Sequence, residues 1–222
     1  MTASPHEEAF VHCEALVRAH DKDRFLATLF APASARRHLF ALYAFNLEMA
    51  RVQAAVRDPM AGAIRFQWWR EALLGERPGE AAASPIAAAI GETLSQTAAD
   101  PAPLVDLLEL RRAELFGEPI ISVEPNVFLM ASRLLGWQGE GAHAAAEDAG
   151  LAYDWARDPA RHDPARQHYA RFRAVVSDLP KAVLPAFLPV ALVPLRLSRP
   201  QAAQWRRQIA LVRAAWFGFP KS

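Results

Sequence analysis

Cysteine is nearly absent from this chain. Cys13 stands alone among 222 residues, which excludes an intrachain disulfide and suits a reducing compartment. A lone Cys on an apolar helix face reads as a small buried hydrophobe. Glycine is scarce, with 10 in all, and Val, Ile and Thr are few beside Ala, Leu and Arg. That bias excludes a sheet-rich fold, because β-branched residues lose rotamer freedom in a helix while Ala, Leu and Arg lose little. Charge of either sign is not in excess: the net value is +1, which gives no general attraction to nucleic acid. No long apolar run is present. The nearest, AVLPAFLPVALVPL at 182–195, falls short of the roughly 18–20 residues that span a bilayer and is cut by Pro185, Pro189 and Pro194. It is expected to lie against a membrane surface or line an apolar cavity. Residues 1–10 hold Pro5, Glu7 and Glu8 and show no apolar core of a signal peptide. Glycine-rich phosphate loops, a G-x-S-x-G elbow, and H-x-x-x-H or H-E-x-x-H spacings are all missing. His162 and His168 stand six apart with no Cys nearby, which makes a poor zinc site.

What remains is helix punctuation. A helix is expected over 5–19, then a solvated charged turn from His20 through Asp23 and Arg24. Pro32 and Ser34 open a long helix to about residue 56. Asp58-Pro59 starts another that Gly75 stops, and Ser84-Pro85 and Asp100-Pro101 repeat the signal for helices to 98 and 117. Further helices are expected at 125–135, 143–155 and 165–177, and a last one from Ser198 and Pro200 through Trp216. GERPGEAAAS at 75–84 reads as a flexible loop. Prolines 180, 185, 189 and 194 predict a broken helix. No period-two run or Asn-Gly hairpin appears, so the expectation is one all-α domain over residues 1–222.

Residues 36–74 carry the most information. Phe30-Ala31-Pro32, then Ala41-Leu42-Tyr43-Ala44-Phe45, then Trp68-Trp69-Arg70-Glu71-Ala72-Leu73, resemble the N-terminal half of the squalene/phytoene synthase superfamily. Gly150-Leu151-Ala152-Tyr153 and the ending from Gln204 to Trp216 resemble it again. The resemblance implies an isoprenoid-synthase type helix bundle, here expected to be shortened in its second half. It also implies an Asp-rich D-D-x-x-D motif that holds Mg²⁺ against a substrate diphosphate. Counted on from Phe45, those positions fall at Ala50, Arg51 and Ala54. Alanine offers no ligand, and an arginine repels the cation, which needs hard oxygen donors. Arg51 could instead bind a diphosphate directly, or pair with Glu48 one turn earlier. Asp154 and Asp158, at i and i+4, are the remaining metal candidates, unless Asp158 simply caps the turn before Pro159.

Phe45-Asn46-Leu47-Glu48 and Phe66-Gln67-Trp68-Trp69 look most like the aspartate-lacking branch represented by the mitochondrial complex I assembly factor. That likeness implies a non-catalytic protein, cytoplasmic or peripheral to the inner membrane, with an inner-membrane protein or an isoprenoid or lipid as partner and no resident cofactor. Arg51, Tyr43 and Trp69 are its candidate ligand contacts, and Arg206, Arg207 and Arg213 its candidate membrane-facing charges. Two rivals stay open: an active Mg²⁺-dependent prenyltransferase joining two prenyl diphosphates, and a generic lipid-binding bundle.

Overall fold

The computed structural model describes residues 5–139 and 141–220, whose regular elements are all helices, with no strand among them. The α-helices are α1 Pro5–His20, α2 Lys22–Thr28, α3 Ala33–Ala55, α4 Pro59–Leu73, α5 Pro78–Ala83, α6 Pro85–Thr97, α7 Ala102–Leu115, α8 Glu124–Leu134, α9 Ala142–Trp155, α10 His162–Val175, α11 Leu184–Phe187, α12 Val193–Ser198 and α13 Gln204–Phe217. The predicted start signals work by local hydrogen bonds. Asp58 Oδ1 accepts from Met60 N at 3.0 Å, Ser84 Oγ from Ala87 N at 3.5 Å and Asp100 Oδ1 from Ala102 N at 3.0 Å. Ends behave likewise: Gly75, Gly117 and Gly136 all take positive φ just past their helices.

The chain resolves into two compact units, residues 1–22 with 34–123, and residues 23–33 with 124–222. In the first, α3 is buried almost all round from His38 to Met49, as expected of a helix apolar on every side. Phe45 meets the edge of Trp69 on α4 at 5.4 Å, and His38 shares a 3.0 Å hydrogen bond with Thr93 on α6. Burial pushes the Cys13 thiol up to about 12 on α1, so this cysteine serves as core. Residues 75–84 depart from the expected flexible loop. Pro78–Ala83 is helical, and Arg77 bridges Glu71 and Glu80 while Trp68 Nε1 donates to Glu80 at 2.8 Å. Side chains from the neighbouring helix supply the order that local composition lacks.

In the second unit α9 packs on α8 and α10. Gly150 makes the first approach possible: a Cβ there would lie 2.4 Å from Pro125 N. The proline segment is broken as predicted, into 3-10 turns at Lys181–Val183 and Leu188–Leu192 around α11 and α12. Most of it is enclosed by the fold. The 18 residues Lys181–Ser198 are apolar enough to span by composition, but 61% of that window is buried inside the fold. Leu188, Ala191 and Leu192 form a core cluster with Ala27, Leu211 and Ala214. Two other expectations fail. α13 begins at Gln204, four residues beyond Pro200, and Asp23 and Arg24 are buried in and beside the first turn of α2 instead of solvated.

Candidate functional site

On α3 the three positions that the family resemblance reserves for aspartates hold Ala50, Arg51 and Ala54. Arg51 is exposed and faces back along its own helix. Its Nε and Nη2 donate to the two oxygens of Glu48 at 2.8 and 3.1 Å, which raises the pKa of Arg51 further, chiefly through that hydrogen bond. Arg65, on α4, adds a third bond to Glu48 at 3.2 Å. Glu48, three residues before Arg51, is therefore held by two guanidinium groups. These residues do not fit Mg²⁺, because they offer two methyl groups, a cation and a carboxylate already neutralised.

Asp154 and Asp158 fare no better as ligands. Asp154 lies 3.5 Å from Arg157, and Asp158 Oδ1 accepts from Ala160 N at 3.0 Å while Arg161 stands 3.5 Å away. Asp158 is thus the cap of a 3-10 turn, Pro159–Arg161. Among the described residues no group of three or more His, Cys, Asp or Glu side chains could hold a metal ion.

Tyr43 and Trp69 both sit inside the first unit, at 3% and 2% exposure. Trp69 Nε1 and Asn46 Oδ1 are buried there with no hydrogen-bond partner among the described residues, a donor and an acceptor that suit water or a small polar group.

Sequence reasoning missed the most highly charged part of the second unit. Arg24 donates to Glu124, the first residue of α8, and both side chains are buried. Arg157 approaches the other Glu124 oxygen at 3.8 Å. Asp23 takes Arg207 at 3.0 Å and Arg196 at 3.4 Å, and Arg196 also donates to the Tyr153 carbonyl at 3.2 Å. Three guanidinium carbons surround the Tyr153 ring, those of Arg196, Arg157 and Arg24 at 4.2, 4.3 and 5.2 Å from its centroid. Every carboxylate of the cluster faces a guanidinium. The cluster ties α2, α8, α9, α12 and α13 together. Its one sequence signal was the charged run from Asp21 to Arg24, which by itself looks like a solvated turn.

The predicted membrane-facing arginines separate. Arg207 turns inward onto Asp23, whereas Arg206 and Arg213 stay exposed on α13.

This all-helical architecture is the isoprenoid-synthase type. It matches the crystal structure of a dehydrosqualene synthase in complex with ligand with a TM-score of 0.69, over 95% of this chain and 97% of that one, at 15% identity. A family model for squalene/phytoene synthase matches residues 17–155, and the chain belongs to that family. Among curated proteins it is similar to NADH dehydrogenase (ubiquinone) complex I, assembly factor 6. Identity to the Rattus norvegicus protein is 36% over 66 residues, covering 30% of this chain and 20% of that one. Identity to the Homo sapiens protein is 38% over 60 residues, 27% of this chain and 18% of that one. The Drosophila melanogaster homolog is 36% identical over 63 residues, 28% of this chain and 19% of that one. The matched segments thus span about a fifth of these relatives' length.

Proposed function

We propose that this chain is a non-catalytic member of the squalene/phytoene synthase family that assists assembly of a respiratory NADH dehydrogenase at the membrane face. The observation that carries the reading is the α3 site: Ala50, Arg51 and Ala54 at the metal positions, with Glu48 held by Arg51 and Arg65. A prenyl diphosphate cannot be ionised without cations to take up the charge on its leaving group. The similarity to complex I assembly factor 6 supports the assembly role. The partner would be a subunit or intermediate of that dehydrogenase.

Two measurements test this. Purified protein given farnesyl diphosphate and Mg²⁺ is expected to release no diphosphate above a heat-inactivated control; release that EDTA abolishes overturns the non-catalytic reading. Cells lacking the chain are expected to hold less assembled NADH dehydrogenase, and normal assembly overturns the second part. The prenyltransferase alternative has the shared fold and the family match over residues 17–155 in its favour, and the side chains of the α3 site against it.

A further inference from the structure

Helix α13 has two apolar faces. The inner one, Leu211 and Ala214, packs on the core formed with Leu188, Ala191 and Leu192. The outer one is Trp205, Ile209, Val212 and Trp216, exposed at 55, 50, 40 and 76%, with Phe217 beside it at 85%. Spacings of four, three and four residues put these four side chains within an arc of about 60°, along roughly 16 Å of helix. Fraying does not explain the exposure. Beyond the helix Phe219 returns to the core against Phe172 at 5.4 Å, and the Pro220 carbonyl accepts a 2.8 Å bond from Tyr169. At the other end Arg207 Nη1 donates to Asp23 at 3.0 Å, so the helix is held from both ends with the stripe outward.

Charge identifies what covers it. Residues 179–222 carry seven Lys and Arg and no Asp or Glu, whereas residues 1–178 hold 18 Lys and Arg against all 24 Asp and Glu. Of the basic groups in this stretch, Arg196 and Arg207 are spent on Asp23. Arg199, Arg206 and Arg213 are exposed and have no carboxylate partner among the described residues. Arg206 and Arg213 line one flank of the stripe, Arg206 stacked at 4.7 Å over Trp205. At the start of α13 Arg199 and Arg206 border an open groove of about 510 Å³ with Pro200, Gln201, Ala202 and Ala203.

We propose that the outer face of α13 docks on an anionic lipid surface. Tryptophans at both ends of the stripe enter the boundary between headgroups and acyl chains, and Arg199, Arg206 and Arg213 meet lipid phosphates. A protein partner would need an acidic rim around an apolar groove; a bilayer with anionic headgroups supplies both along its whole surface. This goes beyond the assembly reading and stands without it, since vesicle binding and diphosphate release are separate measurements.

The test is co-sedimentation of the full chain with phosphatidylcholine vesicles, with and without phosphatidylglycerol, and tryptophan emission as a second readout. Binding is expected only with the anionic lipid, with a blue shift, and it weakens as salt rises. Ile209→Ser with Trp216→Ser removes the binding. Arg206→Gln and Arg213→Gln each weaken it about fivefold, and Arg57→Gln leaves it unchanged. All these positions are exposed, so circular dichroism is expected to stay that of the parent protein. No binding at low salt, or equal binding by the serine and glutamine variants, overturns the proposal. So does concentration-dependent self-association without lipid that the serine pair abolishes, which would make a second copy the occupant.

Discussion

Arg51 and Glu48, one turn apart on α3, form a two-point ion pair where the family resemblance places the first metal ligands. The pair places a neutralised carboxylate and a cation, not free oxygen ligands, on that stretch of the helix. The position carries a cation of its own, exposed to solvent and paired within its own helix.

Restoring the carboxylates is therefore not expected to restore chemistry. In the triple variant Ala50→Asp, Arg51→Asp, Ala54→Asp, Glu48 keeps Arg65 and the second-half carboxylates keep Arg157 and Arg161. Groups that act as one unit do not contribute singly. Single-turnover assay with farnesyl diphosphate and Mg²⁺ should show no product; EDTA-sensitive turnover would show that ligands exist elsewhere in the chain.

The Arg24–Glu124 pair predicts a large stability effect, since the two side chains are only 4 and 9% exposed. Glu124→Gln leaves a buried guanidinium facing a neutral amide and should cost about 3–5 kcal/mol. Arg24→Met with Glu124→Leu should cost less than the single change, because neither charge is stranded. Urea denaturation of the three proteins decides it; a single variant within 1 kcal/mol of the parent, roughly the spread of surface changes, would contradict the pairing.

Two glycines should respond with opposite signs. Gly150→Ala forces a methyl onto the Pro125 backbone, where N, Cα and the Glu124 carbonyl carbon lie 2.4, 2.6 and 2.7 Å from the new Cβ. A loss of about 1–3 kcal/mol or more is expected. Gly91, in α6 with open space around its Cβ, should gain about 0.5–1 kcal/mol as alanine. Thermal melts of both variants check the contrast.

His38 sets a pH dependence. Burial, then the charge on Arg37, holds its imidazole below the usual 6.5. The unfolded chain therefore takes up a proton near pH 6.5 that the folded chain refuses until lower pH. Stability should fall as pH drops below 6.5 and level off below the folded value. His38→Gln should remove that part of the slope. The parent and variant are compared by denaturant midpoint from pH 7.5 to 5; parallel curves would mean that His38 does not titrate differently on folding.

Helix starts were legible in sequence because they depend on atoms within one turn. Asp58, Ser84, Asp100 and Asp158 each cap a residue two or three positions on, so the residue types alone carry the information. The same locality made Glu48 readable as the partner of Arg51. It misled at 75–84, where Pro and Gly suggested a loop and Glu71, from the preceding helix, tied it down through Arg77.

What the sequence by itself determined is the all-helical class, the proline-broken element and the absence of aspartate at residues 50, 51 and 54 of α3, all properties of residue type and near spacing. Tertiary structure alone decided which charges are interior. Asp23 and Arg24 look like a solvated turn until Arg196, Arg207 and Glu124 arrive from 173, 184 and 100 residues away. It also decided which of two apolar segments faces out. The more hydrophobic one at 182–195 is enclosed, and the amphipathic α13 that helps enclose it keeps Trp205 and Trp216 in solvent. Hydropathy measures how much a segment gains from leaving water, but a helix has more than one side, and only packing assigns which side leaves.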